Sequence, residues 1–155
     1  MFLTTHTSAA ILIASKVHNP ILAIVLGFFS HFVLDAIPHG EGDFFSDPKK
    51  SKQQKLLLLA KVAILDLLLA SIFLASFLYI SQPEKMWVFV LTALAAWAPD
   101  FIWGAVELLK LKFIYWFLIF HHKAHDLLDI VYPIKYGLLF QFFFIILMLI
   151  FTWLF

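Results

Sequence analysis

His31 and Asp35 stand four residues apart in Ser30-His31-Phe32-Val33-Leu34-Asp35-Ala36-Ile37-Pro38-His39, near the end of an apolar segment. On a helix that spacing puts both on one face, where an imidazole and a carboxylate can bind one divalent ion or hold two in a bridge. Ionisable groups inside apolar spans are costly and tend to mark functional sites. His39, past the Pro38 break, can fold back toward the same ion. The plainer alternative is a His–Asp hydrogen bond that stabilises a helix end. A second group comes late in the chain: His122, His125, Asp126 and Asp129 lie at i, i+3, i+4 and i+7, a single helical stripe, with His121 flanking four before His125. His125 and Asp129 repeat the spacing of His31 and Asp35, although a stripe of His, Lys and Asp also suits the wet face of an interfacial helix. Asp100 follows Pro99, whose missing N–H is expected to kink its helix and expose a carbonyl beside the carboxylate. His6 lies near the start of the chain. The candidate metal ligands are therefore His6, His31, Asp35, His39, Asp100, His122, His125 and Asp129, a set suited to Zn²⁺ first, with Mn²⁺ or Fe²⁺ as alternatives.

The chemistry such a set supports is hydrolysis by a metal-activated water, with Asp35, Asp100 and His125 as the acid–base candidates. The sequence has no Gly-rich phosphate loop, nucleophile elbow or His-Glu-x-x-His segment, and covalent catalysis has little support. With no cysteine, disulfides and thiolate zinc sites are excluded.

The elements that must position these residues are membrane helices. In 155 residues, 63% are hydrophobic and only 14% charged, against about a quarter charged in soluble domains. The mean hydropathy is +0.96. A soluble domain this short could not hide so much apolar surface, so lipid must solvate much of it. A formal charge of +1, with all eleven cations lysine, excludes a strongly electrostatic nucleic-acid binder and removes the bidentate arginine clamp for phosphate. The first residues lack a positive n-region and a cleavage signal, so the first segment is expected to be kept.

The expected fold is a single all-α domain over 1–155, a polytopic bundle of five or six helices that begins with a short helical hairpin. Helix 1 runs from about Thr4 to Val17, with Thr4 or Thr5 as N-cap, and is short for a span of roughly 20 residues. After His18-Asn19-Pro20, helix 2 runs from Pro20 to about Ile37. A polar loop covers 39–55. Helix 3, Leu56 to about Ile80, is interrupted by Lys61 and Asp66, and Asp66 either supports the site from behind or pairs with Lys61. Helix 4, Lys85 to about Leu109, follows the Ser81–Glu84 turn. Phe113 to Phe120 is too short to span alone, and Gly137 to Phe155 is the last span. Glu41, Asp43, Asp47 and Glu107 are expected to be solvated, and His18 to be a turn residue.

The lysines of the polar loop and Lys110 and Lys112 place those boundaries in the cytoplasm by the positive-inside rule. At ~1.5 Å per residue, Asp35 and His31 then lie near the inner end of helix 2, Asp100 ~22 Å down helix 4, and His6 at the same level. Four separate segments bring polar groups to one leaflet, on the cytoplasmic side of a multi-pass inner-membrane protein. The two His-x-x-x-Asp pairs meet within one chain or across a homo-oligomer.

Thr5-His6, the Asp-Ala-Ile-Pro-His end of helix 2, Ala-Pro-Asp at 98–100 and the His-rich later segment resemble the YdjM-like family of small bacterial and archaeal inner-membrane metal-dependent hydrolases. That family has an early Thr-His, a Pro-Asp-x-Asp-His segment and a His-x-x-x-x-His segment. Here Ile102 stands where the second Asp of Pro-Asp-x-Asp would fall, and the late cluster lacks the Thr-His-Ser ending. The resemblance implies His6, His31, Asp35, His39, Asp100 and His125 as ligands and a hydrolytic activity. The expected function is thus divalent-metal hydrolysis of a phosphoester, lipid phosphoesters included, at the inner face. A metal or proton transporter or sensor is the second reading, and a purely structural bundle the third.

Overall fold

The computed structural model describes residues 1–40, 51–125, 127–128 and 133–154. Among these the chain is all helical, with six α-helices: α1 (Leu3–Lys16), α2 (Pro20–Asp35), α3 (Lys52–Ser81), α4 (Met86–Leu109), α5 (Tyr115–His125) and α6 (Ile134–Leu154). A 3-10 turn, Lys112–Ile114, precedes α5. Three helices, α3, α4 and α6, are long and apolar enough to cross a membrane. Their outer faces carry exposed Leu, Ile and Phe side chains, as does α2 at Ile21, Phe29 and Val33. Surfaces of that kind are stable only against lipid.

Helix ends follow local chemistry. Asn19 caps α2 by accepting from the Ile21 and Leu22 N–H groups, and Pro20 occupies the first helical position, where it costs no hydrogen bond. Ser51 and Gln54 form a reciprocal capping box that starts α3 four residues before the expected Leu56. α3 and α4 end on Gln82 and Lys110, both in the left-handed conformation.

α1 sits at the centre, against α2, α3, α4 and α6. Its start differs from expectation. Phe2 is the N-cap and has no side-chain cap bond; the free N–H groups are taken by two other helices. Asp66 of α3 accepts from Leu3 N (2.5 Å), Thr4 N (3.2 Å) and Thr4 Oγ1 (2.7 Å). Gln141 Oε1 of α6 accepts from Phe2 N at 2.9 Å and Thr5 Oγ1 at 3.0 Å. Away from water each unmade bond would cost about 1–3 kcal/mol, so a buried helix start must borrow such acceptors. A local threonine cannot cap α1 because Thr4 and Thr5 already lie inside it.

The hairpin turn at 17–19 lies at the same end as the α3–α4 turn, and His18, Ser81, Glu84 and Lys85 line one shallow groove there. Lys16 Nζ donates to the Thr152 carbonyl near the end of α6. α1 and α2 are 14 and 16 residues long, so they reach only ~21–24 Å from that end. The start of α1 and the end of α2 therefore stop short of the length of α3 and α4, which are ~45 and ~36 Å long. Asp66 is ~21 Å from the first residue of α3, and Asp100 is ~14 Å above Leu109. Between this level and the hairpin turn lies an apolar core that includes Ile11, Leu74, Phe77, Phe89, Ala93 and Trp97.

Two glycines permit close backbone approach. A Cβ at Gly27 would lie 2.7 Å from the Thr92 carbonyl oxygen, so α2 and α4 pack tightly there. At Gly137 a Cβ would overlap the His39 carbonyl group, which presses the 39–40 backbone onto α6. Gly40 itself takes φ 76°, which lets the chain turn directly after His39.

A candidate metal centre in the bundle interior

The start of α1 and the end of α2 meet α4 and α5 around one carboxylate, that of Asp35. Its side chain is 1% exposed, and His6 and His31 are fully buried. His31 Nε2 and His125 Nε2 each lie 2.9 Å from Asp35 Oδ2. His121 Nε2 lies 3.9 Å from the same oxygen, 3.4 Å from Asp100 Oδ1 and 3.2 Å from His31 Nε2. Asp100 Oδ1 is also 3.6 Å from His31 Nε2. On the other side of the carboxylate, Oδ1 is 3.2 Å from His6 Nε2 and 2.5 Å from the Met1 nitrogen. That nitrogen is 3.1 Å from His39 Nε2. His6 and His31 stack with ring centroids 4.2 Å apart.

The tautomers follow from the backbone. His31 Nδ1 is 2.8 Å from the Ala96 carbonyl and His39 Nδ1 is 2.8 Å from the Ile37 carbonyl. A carbonyl oxygen only accepts, so both rings carry hydrogen on Nδ1. In their neutral forms both then present a bare Nε2 lone pair to the cluster. This is the arrangement of metal-ligating histidines, whose second nitrogen donates to an outer acceptor that fixes the ring. The Ala96 carbonyl lies in the turn before Pro99, one residue after Ala95, whose carbonyl is the one that loses a donor to the proline.

The Met1 ammonium donates to Asp35 Oδ1, and it pairs with His39 Nε2 as His31 Nε2 does with His121 Nε2, but the imidazoles around Asp35 Oδ2 are not aligned to hydrogen-bond it. Asp35 Oδ2 and both ring nitrogens of His6 are buried and have no hydrogen-bond partner among the described residues, although imidazole nitrogens surround the carboxylate. Lone pairs of His31 Nε2 and Asp35 Oδ2 facing each other at 2.9 Å repel unless a proton or a cation lies between them. A divalent ion would convert that repulsion into ligation and would satisfy Asp35 Oδ2. Two groups have the required mutual proximity, with one donor atom from each residue and all donors within 4.8 Å of one another: His31, Asp35, Asp100 and His121; and Asp35, His39 and His125. These buried His and Asp side chains could hold a metal ion.

Comparison with family models, curated proteins and solved structures returns no match. What the centre can do must therefore be argued from its own geometry.

Of the expected ligands, the structure brings His6, His31, Asp35, His39, Asp100 and His125 together within one chain. It does not bring in His122, which is exposed and lies 3.4 Å from Trp103 Nε1 on the outer side of α5. The expected stripe of His122, His125, Asp126 and Asp129 placed the wrong imidazole inward. α5 buries Phe117, Leu118 and His121, so the face that continues from Phe117 through His121 to His125 is the inner one. Asp126 and Asp129 lie outside the described residues. Sequence reasoning missed His121 as a ligand, though its place four residues before His125 was the available signal. It also missed Gln141, an isolated amide in the last span. Asp66 acts behind the site, through the start of α1.

The centre is closed on the α1–α2 side and open on the other. Asp100 and His125 keep 29% and 25% of their side-chain surface, against 0–1% for His6, His31 and Asp35. Structural metal sites are closed on all sides, whereas catalytic sites keep a position for water or substrate.

Proposed function

We propose that the protein is a membrane-embedded, divalent-metal-dependent hydrolase that acts on a phosphoester, with a lipid phosphoester as the leading class. The observation that carries the metal part is the convergence of imidazole Nε2 atoms on Asp35 Oδ2, a buried oxygen that none of them is aligned to hydrogen-bond. The hydrolytic part is supported by the partial exposure of Asp100 and His125 and by the resemblance of Thr5-His6, Asp35–His39 and Pro99-Asp100 to the YdjM-like hydrolases. All-nitrogen-and-oxygen donors with several imidazoles suit Zn²⁺, with Mn²⁺ or Fe²⁺ next. The ion would supply Lewis acidity toward a phosphoryl oxygen and make water nucleophilic at neutral pH.

The chain's own residues divide the remaining work. His31 and His39, their rings fixed by the Ala96 and Ile37 carbonyls, hold donor atoms in place. Asp35 anchors the centre from its closed side. At the open edge His125 offers a donor atom, and the Asp100 carboxylate, which has a second oxygen beyond the one facing the cluster, is positioned to take a proton from water and to return one to a leaving group. The leaflet follows from the lysines: Lys55 and Lys110 lie at one end of the antiparallel α3–α4 pair, which supports an inner-membrane protein with that end in the cytoplasm. A transporter would need polar groups along its full depth; the apolar core beyond Ala96 favours a site over a conduit.

The test is the metal content of detergent-purified protein, compared with His31→Ala and Asp35→Ala variants, followed by phosphomonoester, phosphodiester and phospholipid substrates. Stoichiometric transition metal lost in both variants, with metal-dependent hydrolysis of one class, is the expected result. Metal-free protein from chelator-free preparations would overturn the reading. Bound metal with every substrate left intact would overturn the hydrolase part.

A further inference from the structure

α1 lies against both α3 and α4, and it stops partway along them. On α4 the row of residues on that side runs at spacings of four, three, four and three: Ala93, Trp97, Asp100, Gly104 and Glu107. Trp97 Nε1 donates to Thr7 Oγ1 of α1 at 2.9 Å. Burial along the row fades toward the end of α4: Ala93 and Trp97 are buried, Asp100 and Gly104 are partly exposed, and Glu107 is exposed. The matching row on α3 behaves alike. Leu74, Ala70 and Asp66 are buried, whereas Val62 and Leu59, which continue it, are only partly covered. The cause is the start of α1. Leu3, its first residue, is held by Asp66, and the preceding Phe2 and Met1 turn aside to Gln141 and Asp35. Beyond that level α3 and α4 extend by ~21 and ~14 Å, and no helix lies between them among the described residues. The gap is about as wide as the helix it lacks, ~10 Å. Gly104 keeps its α4 wall flat, since a Cβ there would meet nothing within 4 Å, unlike one at Gly27 or Gly137.

The deep end of this gap is the open edge of the centre at Asp100. Its walls at Leu59, Val62 and Gly104 offer no polar side chain, so a water-soluble phosphoester would lose its hydration there without replacement. An acyl chain loses nothing in the same place. Lys55 at the start of α3 and Lys110 at the end of α4 flank the mouth, with Glu107 beside them, and cations at that depth attract anionic lipid heads. We propose that a phospholipid enters sideways between α3 and α4 and brings its phosphoryl group to Asp100 through this gap, with Gly104 keeping the path clear. The inference rests on the hydrolase reading above and names its substrate's class and route.

The test uses the full chain in phosphatidylcholine nanodiscs and begins with metal-free protein. Phosphatidic acid carrying a diazirine in its acyl chain is added and irradiated, and adducts are mapped by mass spectrometry. Leu59 should be labelled above Leu57, an exposed leucine at similar depth on the opposite face of α3. Unlabelled phosphatidic acid should compete the difference away. Gly104→Leu and Val62→Trp fill the gap from opposite walls, and in each the labelling of Leu59 should fall to the level of Leu57. Gly104→Leu adds bulk in open space and removes a helix-interior glycine, so its zinc content and circular dichroism should match wild type. With Zn²⁺ bound, hydrolysis of the phospholipid that wild type cleaves should fall roughly tenfold or more in both variants. Equal labelling of Leu57 and Leu59, or labelling that neither variant lowers, would overturn the route and leave the hydrolase reading standing. Selective labelling, with every phosphoester left intact by zinc-loaded wild type, would overturn the hydrolase reading and leave the gap a lipid-binding one.

Discussion

Gly137→Ala tests how the backbone delivers His39 to the centre, at a position more than ninety residues away in sequence. A Cβ at residue 137 would lie 2.6 Å from the His39 carbonyl carbon and 3.2 Å from Gly40 Cα. Carbon atoms in contact prefer about 3.5–4.0 Å, so the 39–40 segment must retreat by about 1 Å. The His39 ring moves with it, because its Nδ1 is tied to Ile37 O in the same segment. Metal–ligand distances tolerate about 0.2 Å. Even an outer-shell change typically costs 10–100-fold in metal affinity, so Gly137→Ala should weaken metal binding that uses His39 by ~10–100-fold. A competition titration against a chromophoric chelator reads the affinity, and circular dichroism checks helix content. If α6 moves instead, Gln141 leaves Phe2 and Thr5, and the thermal midpoint falls while the affinity stays. An unchanged affinity with an unchanged midpoint would refute the claim that α6 holds His39 in place.

Three further outcomes follow from other contacts. His122→Ala should leave metal affinity within twofold of wild type, whereas His121→Ala should lower it by at least tenfold; the reverse order, read by the same titration, would restore the stripe that places His122 inward. Asp66→Asn keeps the side-chain shape but leaves one carbonyl oxygen where two oxygens serve three donors, and it turns an amide N–H toward a backbone N–H. It should destabilise the fold by about 2–4 kcal/mol, seen as a lower thermal midpoint in detergent, and a neutral result would show that water reaches the start of α1. Gln82→Gly relieves the left-handed residue at the end of α3 (φ 41°) and should stabilise by about 0.5–1 kcal/mol on the same assay.

The parts of this molecule that the sequence shows are those decided locally. Asn19-Pro20 starts α2, and long apolar runs mark α3, α4 and α6, because capping chemistry and lipid solvation act within one segment. His31 and Asp35 share a face because a helix fixes i and i+4 together. Which imidazole of His121-His122 faces inward is a different kind of fact. Both follow an apolar run, and the packing of Phe117 and Phe120 against α2, 6.1 and 4.9 Å from Phe32 between ring centroids, sets the rotation of α5. The start of α1 is further still from local control. Thr4 and Thr5 look like caps, yet their helix begins earlier, under Asp66 and Gln141, two residues that become acceptors only when three helices assemble.

The same dependence explains why these polar groups can sit in the bundle at all. Asp66 and Gln141 fix where α1 begins, and α1 fixes His6 beside Asp35. Gly137 fixes the 39–40 backbone, and with it His39. The supports of the centre are thus long-range contacts of α1 and α6, while its ligands come mainly from α2, α4 and α5. Replacing a support should shift ligand positions and lower stability together. Replacing a ligand that carries no such support, such as the partly exposed His125, should cost little stability when metal is withheld, whereas Asp35 also pairs with the buried Met1 ammonium and is unsuited to the comparison. Paired measurements on Asp66→Asn and His125→Ala, with and without Zn²⁺, separate the two roles. The Asp66 variant should be less stable in both conditions, and the His125 variant should lose only the stabilisation that Zn²⁺ confers on wild type, which reaches about 2.7 kcal/mol at a hundredfold excess over Kd.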